Sequence, residues 1–271
     1  MAPTRRDFLM STTAALSASR ILGANESVQV GFIGYGLIGA QHVHDFKNQP
    51  DVDLVALSDV YEPRLREGLE VCGPRAKGYD DFRRLLDDQD VQAVVISTPD
   101  HWHALLTVMA CAAGKDVYVE KPLTLFVREG PWMVAAARRY RRVAQVGTQQ
   151  RSGRHYADAV NLLQNGHIGK IHTVRVGSLR NAMPGFGAPP DSDPPPGMSY
   201  DLWLGPPPQR RYNPNHAVAT ACHLANISLR LGRKVRWDAG REEIINDPEA
   251  SAMLARPYRK PWNQVLEGYH L

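Results

Sequence analysis

Cysteine is scarce in this sequence, with three among 271 residues, Cys72, Cys111 and Cys222. They are odd in number and far apart, which argues against a disulfide framework and for buried thiols. No metal site is expected either, because His101 and His103 have no thiol or carboxylate partner at ligand spacing. Long apolar runs are missing. The stretch Met10 to Ala18 falls far short of the roughly 20 residues a helix needs to cross a bilayer, so no integral membrane segment is expected. Charge of one sign is missing too: 32 basic residues face 28 acidic ones, for a net charge of +4. The main basic cluster, Arg138-Arg139 and Arg141-Arg142, lacks interleaved aromatics and reads as the solvated face of a helix, so nucleic acid is not an expected partner. With 43% hydrophobic and 22% charged residues the composition is that of a globular chain with a proper core, long enough for one large or two modest domains.

What is present starts at Val28 to Gly39, VQVGFIGYGLIG. Val28, Val30, Phe32 and Ile33 make a short apolar run that breaks into Gly34-Tyr35-Gly36-Leu37-Ile38-Gly39, and a helix-compatible segment, Ala40 to Lys47, follows. In such a turn Gly34 permits the tight bend, Gly36 lets a pyrophosphate approach the backbone, and Gly39 lets the helix pack closely on the strand. Phosphates would rest on the free N–H groups of the helix N-terminus. A second strand, Val52 to Ser58, closes with Asp59, about twenty residues beyond Gly39, where a carboxylate can accept hydrogen bonds from both adenosine ribose hydroxyls. An acid there repels a 2′-phosphate, which favours NAD over NADP as the cofactor.

From residue 28 strand and helix alternate for more than a hundred residues. The pattern gives helices at Glu62 to Val71, from Tyr79-Asp80-Asp81-Phe82 onward, at Ala104 to Ala113 and at Pro131 to Arg142, with strands at Val91 to Thr98, Asp116 to Glu120 and Val143 to Gly147. Repeated βα units of this length predict an α/β fold, a Rossmann-type doubly wound parallel sheet with ligands beyond the carboxyl ends of its strands. Two clusters fall at those ends. In Ser97-Thr98-Pro99-Asp100-His101-Trp102-His103, Thr98 and Pro99 end the strand in a rigid turn able to line the cofactor cleft, while His101 and His103 either border it or simply cap and pack. In Val119-Glu120-Lys121-Pro122, Lys121 either points an ammonium into the cleft or is a surface lysine in a turn.

The N-terminus reads Thr4-Arg5-Arg6-Asp7-Phe8-Leu9, followed by an apolar, small-residue stretch without an acid. It resembles a twin-arginine export signal, which implies delivery of a folded protein to the periplasm; a basic arm on a cytoplasmic protein is the alternative. The expected division is a signal segment at 1–25, an NAD(P)-binding Rossmann domain at 26–150 and a truncated α+β C-terminal region at 151–271.

GFIGYGLIG, Asp59, STPDHWH and EKP, in this order and spacing, closely resemble the glucose–fructose oxidoreductase, inositol dehydrogenase and rhizopine-catabolism family, Gfo/Idh/MocA, over about residues 26 to 180. The resemblance implies that the glycine turn (Gly34, Gly36, Leu37, Ile38, Gly39) and Asp59 bind the dinucleotide, that Thr98, Pro99, His101 and His103 border it, and that Glu120 and Lys121 of EKP sit at the nicotinamide end, with Lys121 as the catalytic candidate. Val146 to Ser152, containing Gln149 as a further cofactor contact, and Tyr200-Asp201-Leu202-Trp203-Leu204-Gly205-Pro206 look like the secreted bacterial branch. Members interconvert sugar or polyol hydroxyls and ketones by hydride transfer, and some exported relatives use bound NAD to hydrolyse glycosides with no net redox change.

Beyond residue 150 the sequence predicts a helix at Tyr156 to Asn165 and a strand at Ile171 to Ser178, but Met183 to Asn215 is crowded with proline and glycine and must be loop. Family members continue with a large antiparallel sheet that buries the substrate site and forms the oligomer interface, which makes a homo-oligomer an expected partner. Here the middle of that domain is expected to be absent, with a join near Asn215 and His216. A helix follows at His216 to Leu231, whose Leu224, Ile227 and Leu231 share one face and are expected to pack on the Rossmann core. No D-x-x-x-H, the family's usual acid/base segment, occurs after Ser178, and His216 and His223 read as structural. Three readings follow: an NAD-dependent oxidoreductase acting on a sugar or polyol, a redox-neutral NAD-using glycoside hydrolase, or a catalytically silent nucleotide-binding remnant.

Overall fold

The computed structural model describes residues 27–174, 189–214, 227, 230–238, 243–255 and 257–269. The segment 1–25 and most of the helix expected over 216–231 lie outside the described residues. The chain runs through β1 (Val28–Ile33), α1 (Leu37–Lys47), β2 (Val52–Ser58), α2 (Glu62–Cys72), β3 (Lys77–Tyr79), α3 (Phe82–Asp87), β4 (Ala93–Ile96), α4 (His103–Ala112), β5 (Asp116–Glu120), α5 (Glu129–Arg139) and β6 (Ala144–Gly147). The six strands form one sheet in the order β3-β2-β1-β4-β5-β6, every neighbouring pair parallel. Strand order reverses between β1 and β4, so the crevice that a ligand would enter opens above these two strands.

Alternation along the strands divides the core in two. Val30, Phe32, Leu57 and Val95 face one side, where Val43 of α1 and Leu65 and Leu69 of α2 cover them. Ile33, Ala56, Val94, Ile96, Val117 and Val119 face the other, against Leu85 of α3, Leu105 and Val108 of α4 and Met133 and Ala136 of α5. Helices on both faces explain why β4 is almost wholly apolar. The sheet and its helices are the doubly wound α/β fold that the alternation predicts. The short edge strand β3, Lys-Gly-Tyr, carries no apolar run and escaped that reading; Leu69 fills the space where Gly78 has no side chain.

Past β6 come α6 (Arg154–Gln164), α7 (Tyr200–Leu204), the antiparallel pair β7 (Trp237–Asp238) and β8 (Glu243–Ile244), α8 (Pro248–Ala252) and α9 (Trp262–Gly268). The strand expected at Ile171 to Ser178 is not seen over Ile171–Val174, which are exposed and irregular, and its remainder lies outside the described residues. Among the described residues they have no neighbouring strand to satisfy their backbone, and a lone strand is not stable.

The expected packing of Ile227 and Leu231 on the Rossmann core is not seen; both join a separate cluster of the C-terminal region. Ile227 is buried with Ile244, Ala250 and Leu254, and Val127 and Leu231 pack against that cluster; Leu224 lies outside the described residues. The Rossmann core itself is covered by Tyr258 and Trp262, with Val265, Leu266 and Tyr269 beside them.

Candidate functional site

The glycine turn is built as its spacing requires. Gly34 has φ +95°, and a Cβ there would meet the Ser97 carbonyl oxygen at 2.9 Å and the Thr98 nitrogen at 3.1 Å. Only glycine accepts that backbone without strain. A Cβ on Gly39 would lie 3.0 Å from the Gly34 carbonyl carbon and closer still to its oxygen. Gly36 is different: the nearest atom to a Cβ there is Arg64 Nη1 at 3.8 Å, so its face is open. Helix α1 starts just after it with no side-chain cap, leaving first-turn N–H groups for another acceptor, and Leu37 stands 96% exposed at the opening.

Asp59 directly follows β2 and is 8% exposed. Its Oδ2 accepts the Tyr35 N–H at 2.7 Å and its Oδ1 the Tyr61 N–H at 2.8 Å. The acid thus ties the glycine turn to the start of α2, and each oxygen keeps a lone pair for a ribose hydroxyl. Burial pushes its carboxyl above the ordinary aspartate range, against the opposing pull of the two N–H groups and the Arg64 charge. The native state therefore holds the Asp59 proton more tightly than the unfolded chain. This contribution to stability is fully present below the unfolded value and is lost as pH rises through the folded one. Carbon-13 titration of the Asp59 carboxyl is expected to give a midpoint above that of free aspartate; a midpoint at or below it refutes the burial argument.

Above β4, the Ser97 and Thr98 hydroxyls are buried without a hydrogen-bond partner among the described residues. Pro99 leads into a single 3₁₀ turn, Asp100–Trp102, and there the two histidines part. His101 Nε2 is 3.0 Å from the Trp203 carbonyl oxygen, which ties it to α7. His103, 1% exposed, lies between two carbonyls, with Nδ1 2.7 Å from Pro122 O and Nε2 2.9 Å from Thr98 O. A neutral ring donates to one of them at a time. Donation to Pro122 O joins the start of α4 to the loop after β5, whereas donation to Thr98 O closes the loop after β4 on itself.

At the end of β5, Glu120 is 2% exposed and Lys121 is exposed. The Glu120 carboxylate faces inward. Its Oε1 is 2.7 Å from His42 Nε2 and accepts from Gln149 Nε2, while Oε2 accepts the Lys121 N–H at 2.9 Å. The carboxyl ends of β1, β2, β4, β5 and β6 thus bring Gly34, Gly36, Gly39, Asp59, Thr98, Pro99, His103, Glu120, Lys121 and Gln149 to one edge of the sheet. Two neighbours of this edge were not read from the sequence. His42 follows Gly39 by three residues and shares its buried face with Val43, a spacing that could have marked it. Arg64, in the first turn of α2, gives no such signal because its helix face is mostly exposed.

The residues fit a dinucleotide. An open Gly36 face, an uncapped helix start, a carboxylate with lone pairs left over and two orphaned hydroxyls would hold it, with the pyrophosphate on α1 and a ribose at Asp59.

A family model described as "Oxidoreductase family, NAD-binding Rossmann fold" matches residues 28–148, and its companion, "Oxidoreductase family, C-terminal alpha/beta domain", matches 214–264. Myo-inositol 2-dehydrogenase of Thermotoga maritima is 34% identical over 157 residues, covering 58% of this chain and 47% of its own. Glycosyl hydrolase family 109 protein 1 of Shewanella sp. (strain ANA-3) is 33% identical over 154 residues, covering 54% of this chain and 34% of its own. Among solved structures, myo-inositol 2-dehydrogenase from Lactobacillus plantarum matches with TM-score 0.51 and 28% identity, over 54% of this chain and 43% of that one. The chain spans about half the length, or less, of the curated relatives it matches.

Proposed function

From a chain that belongs to the Gfo/Idh/MocA oxidoreductase family, with its NAD-binding Rossmann domain at residues 28–148, we propose an NAD-dependent oxidoreductase that moves hydride between the cofactor and a hydroxyl or ketone of a sugar or polyol. The observation that carries this reading is the exposed Lys121 placed on the same sheet edge as the open glycine turn and Asp59. NAD, when bound, supplies the hydride acceptor. The protein's part is placement and proton handling. The α1 N-terminus and Gly36 seat the pyrophosphate, Asp59 holds the adenosine ribose and disfavours a 2′-phosphate, and the Ser97-Thr98-Pro99 turn walls the cleft. Lys121 Nζ hydrogen-bonds the substrate hydroxyl and stabilises its oxygen while the hydroxyl proton passes to solvent water. Inositol-like polyols are the first substrates to try, given the relatives named above.

The resemblance to family 109 glycosyl hydrolases supports a second reading, glycoside hydrolysis with no net change in the cofactor. A short C-terminal region, the Thr4 to Leu9 twin-arginine-like motif and hence a periplasmic address belong to the same proposal, as does self-association.

Titration with NAD followed by a panel of polyols, sugars and aryl glycosides tests the readings. Growth of the reduced-nicotinamide band with a polyol supports the dehydrogenase; glycoside cleavage at constant cofactor redox state favours the hydrolase; no NAD binding overturns both. In the dehydrogenase case Lys121→Ala is expected to lower kcat by about 10²- to 10⁴-fold. Its NAD affinity should change less than about threefold, because the dinucleotide is seated mainly by the turn and Asp59. Unchanged turnover would remove Lys121 from the chemistry.

A further inference from the structure

The buried group beneath Lys121 is an unusual thing to place inside a Rossmann sheet. His42 and Glu120 have side chains 5% and 2% exposed, and their 2.7 Å contact joins the glycine-turn helix α1 to the end of β5. Gln149, just after β6, donates to the same oxygen, and the other oxygen holds the Lys121 backbone N–H at 2.9 Å. The packing leaves room for this and little else. A Cβ on Gly147 would come within 2.8 Å of Glu120 Oε1, and the His42 ring is wedged edge-on against Tyr118 with centroids 5.3 Å apart. Burying a carboxylate with an imidazole costs desolvation energy that an apolar pair of the same volume would not, so stability alone does not account for it.

We propose that His42 is a positioning residue: through Glu120 it fixes the backbone of Lys121 relative to the helix that seats the pyrophosphate. The chain of contacts is short and continuous. His42 stands three residues past Gly39 on the buried face of α1, Glu120 receives it, and the second oxygen of the same carboxylate fixes Lys121. The lysine ammonium and the cofactor seat are thereby held to one reference, which matters where misplacement by about 1 Å can cost on the order of 10²-fold in rate. The consequence for turnover rests on the dehydrogenase reading above; the mechanical coupling does not.

Two variants separate the possibilities. His42→Leu removes the donor and leaves Glu120 short of a partner, whereas His42→Gln keeps an N–H for it. In the protein without cofactor, exchange of the Lys121 amide hydrogen, read residue by residue, is expected to speed up at least about tenfold in His42→Leu and to stay near the wild-type rate in His42→Gln, the size following from loss of one buried charge-assisted contact. With polyol and NAD, His42→Leu should lower kcat by about 10²-fold while KM and NAD affinity stay within about threefold, and His42→Gln should recover most of kcat. If His42→Leu does not fold, Glu120→Gln, which keeps the shape but offers a single acceptor oxygen, is read in its place with the same expected exchange and kcat changes. An unchanged Lys121 exchange rate in the folded variant overturns the proposal whether or not the wild type turns over. A kcat equal to that of an active wild type also overturns it. A wild type without turnover, alongside faster exchange in the variant, would count against the dehydrogenase reading and for the coupling.

Discussion

Replacing Gly39 with alanine is expected to cost both nucleotide binding and stability, whereas alanine at Gly36 should cost binding alone. The two glycines lie three residues apart, but their surroundings are opposite. At Gly39 a new Cβ drives into the Gly34 carbonyl, and Gly34 has little room to retreat because the loop after β4 closes its flank: a Cβ built on Gly34 would lie 2.9 Å from Ser97 O and 3.1 Å from Thr98 N. The collision is with backbone on a turn already committed to φ +95°, so helix α1 must lift away from β1. Overpacking of this kind costs about 1–3 kcal/mol. It also displaces the amides that would seat the pyrophosphate, and NAD affinity should fall by about 10-fold or more. At Gly36 the methyl meets nothing nearer than Arg64 Nη1 at 3.8 Å, so the fold is untouched while the open face is filled. Thermal unfolding and NAD calorimetry on both variants check the contrast. A Gly39→Ala protein that binds NAD like the wild type would show that the turn is not the phosphate seat.

Much of this was legible because the chemistry of the first half is local. An apolar strand ending in Gly34, an acid closing the next strand and a lysine before Pro122 each state their place in a βα unit, since a parallel sheet leaves one edge for ligands. The β5 boundaries, Asp116–Glu120, are those the pattern predicts. Orientation was not legible. His101 and His103 are two residues apart in one motif, yet one turns to the Trp203 carbonyl and the other is buried between Thr98 and Pro122, because the intervening 3₁₀ turn separates them. The helix spacing from Gly39 could have marked His42 as buried but not what it meets: its partner, Glu120, is 78 residues away, and no spacing rule reaches that far. The proline-rich sequence predicts loop throughout Met183 to Asn215, and α7 (Tyr200–Leu204) corrects that: five residues free of proline and glycine are enough for a short helix, while the other described residues of the stretch, 189–199 and 205–214, are irregular. The stretch runs along the ligand edge, with the Glu62 N–H donating to the Gly197 carbonyl at 2.9 Å and Ser199 N–H to Val60 O at 2.8 Å, beside Asp59.

The C-terminal segment is the other element whose importance only the packing reveals, and Trp262→Ala is expected to be among the most destabilising single substitutions, at about 3–5 kcal/mol. Trp262 is 2% exposed although it lies 115 residues past the end of the sheet. It meets Trp102 edge to face at 4.8 Å and Phe82 at 6.3 Å, and the Arg83 guanidinium sits 5.8 Å above its ring. Two anchors hold it there. The Tyr258 hydroxyl donates to Glu129 Oε1 at 2.6 Å inside the core, and Arg259 donates to Gly205 O at 2.6 Å and to Asp201, clasping α7. Gly205 in turn is required because a Cβ there would strike the Trp102 ring. Removing the indole therefore opens a cavity under the 3₁₀ turn whose Trp102 is the neighbour of both cleft histidines. The Trp262 N–H has no hydrogen-bond partner among the described residues, so Trp262→Phe loses area but no polar contact there and should cost much less than alanine, about 1–3 kcal/mol. Denaturant unfolding of the two variants gives the stability, and NAD calorimetry reports whether the damage reaches the cleft. Equal, small losses for both would mean that α9 rests on the Rossmann core without contributing to it.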